Sequence, residues 1–498
     1  MLERSKVLEV SQYIQEPFAI KDMQNIVING LPDSNEYEAF IRLAEFKALL
    51  FRTKFEADSN TILSSQHKLE AELNGWITSS DGIATMKNVV SSVGRFVLPL
   101  SGYGSVAHDG RHIVIKDPTA ALTHITNDKG SIQPYQGASI IGSFLHDVGR
   151  LMEPRAYEID YTVGNKVRSK HAKISFLFAQ SILSKFDDIP PALTDQILYA
   201  VLTHQERIDD PSSLPPQRSE RIPLQVKQAD RQQLLGPEGC FRMITYNGGL
   251  HEASLISTET DERKKHIDPD GPYANELTYM IEYHMRRDPG NNFGKKAEEE
   301  THELKAMSGV FLWLIASDNL REIIFYPEFN YENDQDLDEM ILAIQNKSLL
   351  PKGVLGKIIS TIEEISSKNQ KGIYGKMQRK NHEIKEKYSD FFTTQRSYKD
   401  IAKLFIHEAA TPQGAVCTEE LLRNLNSQID AISEEEAQRL SHGILYLLAS
   451  REILDIRERK NLEDILSSEN KNAIEYETAR IIYEGLESAE IPQIGPTR

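Results

Sequence analysis

Phe144-Leu145-His146-Asp147-Val148-Gly149-Arg150 closes an apolar helical run with an adjacent histidine and aspartate. The pair offers a cation one nitrogen and one carboxylate, a mixed set that suits Zn, Mn, Fe or Co rather than Ca, which takes oxygens. From about Tyr135 onward, Ile141, Phe144, Leu145 and Val148 fall on one helical stripe, while Ser139, Gly142 and Ser143 lie near the doublet on other faces. The small neighbours leave room for an ion and a ligand.

After the doublet, residues 153–170 show no periodicity and carry Lys166, Arg168 and Lys170, which reads as a basic loop beside the site. Three helices follow, and each holds one polar residue where the pattern asks for an apolar one. In the first, His171 shares a face with Ile174 and Phe178; in the second, opened by Pro190-Pro191, the stripe Ile197, Ala200, Val201 ends in His204. In the third, Asp230 stands between Val226 and Leu234 on one face. A buried histidine or aspartate costs roughly several kcal/mol when unpaired, and one shared cation would satisfy all of them. The Pro/Ser/Arg-rich stretch 209–221 reads as a rim or lid, and Glu206, just after His204, as a carboxylate backing a ligand, a proton shuttle or a surface residue.

Ahead of the doublet, Asp109-Gly110 between two short apolar stretches is a hairpin signal, so residues 103–116 are expected to form a small β-hairpin. Asp117-Pro118 then starts a short helix carrying His124. His124, His112 and His108 compete to be a further ligand; His124 is favoured because it is placed on a helix and the other two on the hairpin. Residues 1–97 read as helical packing elements. Beyond Tyr326 the chain is charged and helical, with segments expected at 334–347, 354–368, 376–388, 398–409, 418–429, 433–456 and 462–486.

The chain has 498 residues, which predicts two or three domains: 1–97, 98–325 and 326–498. Its 57 basic and 74 acidic residues give a net charge of −17, which argues against nucleic acid or an anionic membrane as the main partner. Cys240 and Cys417 stand far apart and predict no disulfide framework. With neither an apolar run near membrane-spanning length nor a secretory leader, the expected location is the cytoplasm.

Taken in order, His124, His146-Asp147, His171, His204 and Asp230 resemble the HD-domain superfamily of metal-dependent phosphohydrolases, with Arg150 where many members have Lys. The segment from Asp230 through Gly236, Gly239 and Arg242 is similar to bacterial members in which the last aspartate is followed by Gly, Gly and Arg. The resemblance implies a mainly α fold: a central HD-type helical bundle with the small β-hairpin, flanked by helical N- and C-terminal regions. It implies one or two divalent ions (Mn, Mg, Co, Zn or Fe), bridged by Asp147, with His124, His146 and Asp230 completing one position and His171 and His204 the other. It further implies hydrolysis of a phosphomonoester or phosphodiester, most often of a nucleotide, by a metal-activated water. Arg150, Arg168 and Lys170 are then the candidates to neutralise phosphate, with Arg231 and Arg242 behind them. Asp147, Arg150, Lys170 and Glu206 make up the expected catalytic group. Two other readings compete: a di-iron oxygenase of the same fold, and a regulatory or scaffold protein with a residual site. The C-terminal helices are expected to serve a protein partner or self-association.

Overall fold

The computed structural model describes residues 18–61, 72–73, 75–105, 108–125, 136–205, 221–246, 397–410, 419–468 and 474–490, together with residues 304, 307, 308, 311 and 315. The protein is mainly helical. Among the described residues the helices are α1 (Ile20–Asn29), α2 (Ser34–Thr61), α3 (Ser80–Val97), α4 (Asp117–Ile125), α5 (Gln136–Leu145), α6 (Glu153–Ile159), α7 (Tyr161–Leu183), α8 (Pro191–Thr203), α9 (Arg221–Gln232), α10 (Gly236–Tyr246), α11 (Tyr398–Ala410), α12 (Glu419–Ala431), α13 (Glu434–Leu466) and α14 (Ile474–Glu490). None of the described helices is long and apolar enough to cross a membrane. The expected segments 334–347, 354–368 and 376–388 lie outside the described residues, as does the rim 209–221 apart from Arg221, which opens α9.

Two compact units emerge: Met1–Asp230 with Gln413–Val416 and Lys460–Arg498, and Arg231–Pro412 with Cys417–Arg459. In the first, α7 is the spine. Ile174 and the run from Phe176 to Ala179 are wholly buried, as expected of a helix surrounded on all sides. Phe40 and Phe51 of α2 meet Phe178 and Phe176 in tilted ring contacts at centroid separations of 5.8 and 5.0 Å, and Phe96 of α3 meets Phe178 at 5.9 Å. The last helix, α14, also belongs to this unit, with Ile481 packed over Gly94 of α3 and Gly485 over Val114. In the second unit α11 and α13 are tied by Gln438, which donates to the Tyr398 hydroxyl at 3.1 Å, and Arg451 of α13 lies 3.6 Å from Glu238 of α10.

The β-hairpin expected at 103–116 is not seen. A two-residue bridge pairs Gly104–Ser105 with His108–Asp109, and from Gly110 the chain is helical, running through a π turn, His112–Lys116, into α4. Gly110 serves close approach rather than a hairpin turn: a Cβ there would overlap the carbonyl of Leu100. The continuous burial of Ile113, Val114 and Ile115 fits a helix enclosed on all sides as readily as a strand. The π turn falls just ahead of Pro118, which has no amide proton for the α-helical ladder.

The basic loop expected at 153–170 is also helical, formed by α6 and the first turns of α7. Asp160 caps α7 by accepting from the Thr162 amide at 2.7 Å, and Val163 and Val167 continue the buried stripe of His171 and Ile174 toward the N-terminus. At the other end of the chain, α13 runs ten residues past the expected stop at Ile456, because Arg457 to Leu466 contains no helix breaker.

Candidate metal centre

The doublet stands where α5 ends. The His146 amide still bonds the Gly142 carbonyl at 2.9 Å, and Asp147 leaves the helix with φ −111° and ψ 11° before a 3₁₀ turn, Val148–Met152. Gly149 lies against α7 so closely that a Cβ would overlap the His171 carbonyl, and its amide donates to Ser175 Oγ at 2.9 Å. The doublet and His171 are therefore held together by backbone contact. α8 brings His204 and α9 brings Asp230 to the same place.

The structure gathers His112, His146, Asp147 and Asp230 into one set of donor atoms, all within 4.8 Å of one another, and Asp147, His171 and His204 into a second. The buried cluster of His112, His146, Asp147 and Asp230 is compatible with an HD-type metal site. Asp147 belongs to both. Its Oδ2 lies 3.6 Å from His112 Nε2 and 3.9 Å from His146 Nε2, and its Oδ1 lies 3.1 Å from the Nε2 atoms of both His171 and His204. Asp230 Oδ1 sits 3.5 and 3.7 Å from His112 and His146 Nε2. Metal–ligand bonds of about 2.1 Å would place neighbouring donors about 3.0 Å apart in an octahedron and about 3.4 Å apart in a tetrahedron, so these spacings fit shared cations.

Three of the histidines are aimed in the same way. The Nδ1 of His146 bonds the Ser143 carbonyl at 3.0 Å, that of His171 the Arg168 carbonyl at 3.1 Å, and that of His204 the Val201 carbonyl at 2.7 Å. A carbonyl only accepts, so Nδ1 carries a proton and Nε2 is the nitrogen turned inward, the arrangement that orients a ligating imidazole. His146 Nε2 and both carboxylate oxygens of Asp117 are buried with no hydrogen-bond partner. Unpaired polar atoms in a buried cluster rich in carboxylates and imidazoles fit a bound divalent ion.

No family model, curated protein or solved structure matches the chain.

Without an ion, the charges settle unevenly. Burial opposes a charge on His146, but the carboxylates of Asp147, Asp117 and Asp230 overcome it and raise the imidazole to about 10. Burial, reinforced by the neighbouring Arg150, lowers His171 to about 4. Asp147 is held well below the usual carboxylate range, because Arg150 and the histidines outweigh its burial. Asp230 is likewise held low by His112 and His146 against its burial. Asp117, wholly buried, is pushed up to about 7.

The other expected site residues are placed as follows. Arg150 Nε lies 3.4 Å from Asp147 Oδ2, and its Nη1 lies 3.4 Å from Glu153, a buried carboxylate that burial raises to about 7. Arg168 is electrostatically coupled to Glu153. Lys170 pairs with Glu45 of α2 at 2.8 Å, a half-exposed contact rather than one with the cluster. Arg231 and the buried Arg242 belong to the second unit. The side chains of His124 and His108, and the whole of Glu206, lie outside the described residues. In the sequence Asp117 reads only as a helix start, and Glu153 is hidden inside an apparent loop. The sequence pattern favours His124, whereas the histidine beside His146 is His112.

Proposed function

We propose that this protein is a metal-dependent phosphohydrolase of the HD type, its first unit an HD-type helical bundle that cleaves a phosphomonoester or phosphodiester, with nucleotides the favoured substrate class. The observation that carries the reading is Asp147, whose two oxygens face two different donor sets. Bound there, a pair of divalent ions would lower the pKa of a coordinated water and polarise a phosphoryl oxygen.

The chain's own residues supply the rest. His112, His146 and Asp230 on one side of Asp147, and His171 and His204 on the other, fix the distance between the two positions. The carbonyl bonds to Nδ1 of His146, His171 and His204 keep those rings from turning away. Arg150 brings a fixed positive charge next to Asp147, held from behind by Glu153, and is the residue best placed to meet a phosphate.

The test is phosphate release from a panel of nucleotides and an aryl phosphodiester by the Mn- or Co-loaded protein. Release that is lost in Asp147→Asn supports the reading. Bound iron, with oxygen consumption and no phosphate release from any substrate, would replace it with an oxygenase built on the same donor set.

A further inference from the structure

We propose that Asp117 is a fifth protein donor to the first cation position, making it His112, His146, Asp147, Asp230 and Asp117. The inference rests on the metal centre described above and goes beyond its two donor sets.

Three observations meet on this side chain. Asp117 is fully buried, and neither of its carboxylate oxygens accepts a hydrogen bond. Its Oδ2 lies 3.1 Å from His112 Nε2 and 3.4 Å from His146 Nε2, spacings within the same range as those among the other donors. Both histidine nitrogens therefore lie within 4 Å of carboxylate oxygens of Asp117, Asp147 and Asp230.

The backbone explains how Asp117 comes to be there. His112 and Asp117 are five residues apart, and on a regular α-helix such a pair points about 140° apart. The π turn, in which the Asp117 amide bonds the His112 carbonyl, widens the helix and brings both side chains to one face. Wide turns of this kind are uncommon and occur often at functional sites. A buried carboxylate with no hydrogen bond is costly, and an ion between Asp117 and the two imidazoles would remove that cost.

The consequence is chemical. Two imidazoles and three carboxylates form a set too large for a closed tetrahedral Zn site, and suit a six-coordinate ion such as Mn or Fe with a position left for water or substrate. The second position, with Asp147, His171 and His204, keeps the smaller set.

The test compares wild-type protein with Asp117→Asn, each dialysed against Mn and analysed for bound metal, with circular dichroism as the check on folding. Two ions per chain are expected in the wild type, and one in the variant, with affinity at the lost position down about 10- to 100-fold. Wild-type protein without metal would overturn the metal centre itself. Two ions in the wild type and two, bound within threefold of wild-type affinity, in Asp117→Asn would overturn the role of Asp117 alone. Anomalous diffraction from Mn-loaded wild-type crystals decides the matter even if the variant does not fold. An Asp117 oxygen about 2.2 Å from the ion is expected, and one beyond about 3 Å refutes the proposal.

Discussion

Gly149→Ala should separate the two cation positions. A Cβ at Gly149 would overlap the His171 carbonyl oxygen and stand 3.0 Å from that residue's carbonyl carbon and Cα. Carbon atoms pack at about 3.5–4.0 Å, so α7 must retreat by about half an ångström to an ångström at its His171 turn. Metal ligands tolerate about 0.2 Å. His171 Nε2, now 3.1 Å from Asp147 Oδ1, would be carried out of range, whereas His112, His146 and Asp230 stand on other elements and would stay. The expected result is loss of about one of two bound ions. A destabilisation of about 1–3 kcal/mol, typical of overpacking, should accompany it. Metal titration with calorimetric readout, paired with thermal melts of the metal-free protein, measures both. A variant that binds both ions with wild-type affinity would refute the claim that backbone contact at Gly149 sets the second position.

The first position yields a mutational prediction and a pH prediction. His112→Ala should lose the first ion while His171 and His204 keep the second, and metal analysis showing both ions retained would mean that another histidine supplies the ligand. Metal binding should release about one proton near pH 8, because His146, raised to about 10, is protonated in the metal-free site and must give up its Nε2 proton to coordinate. His171, lowered to about 4, is already neutral and adds none. Affinity should therefore rise about tenfold per pH unit between about pH 7 and pH 10, and more steeply below about pH 7, where Asp117, pushed up to about 7, must also lose a proton. Calorimetry in buffers of different ionisation enthalpy reads the proton count, and a count of zero would contradict the charge assignment.

Much of the site is legible in the sequence because its residues sit on strongly periodic helices. His171, His204 and Asp230 each interrupt an apolar stripe, and a polar residue at a core position is visible without a structure. The segment 103–125 hides the rest. Asp109-Gly110 before Arg111-His112-Ile113 carries the signs of a hairpin, and nothing local distinguishes a glycine needed for a turn from one needed for close approach to Leu100. A π turn has no sequence signature, so no helical wheel places His112 and Asp117 together. Residues 153–170 misled for a different reason: Gly164 and three basic residues conceal the stripe Val163, Val167, His171, Ile174, whose period becomes plain only once Asp160 is seen as a cap. Glu153, which holds Arg150 beside the doublet, was lost within that supposed loop.

Whether Asp147 is the one carboxylate shared by two cation positions is read from elemental analysis of the purified protein after metal loading and dialysis, set beside Asp147→Asn. Close to two divalent ions per chain are expected in the wild type, and loss of both in the variant. A wild type that holds no metal, or an Asp147→Asn protein that still holds two ions, would refute the shared role of Asp147.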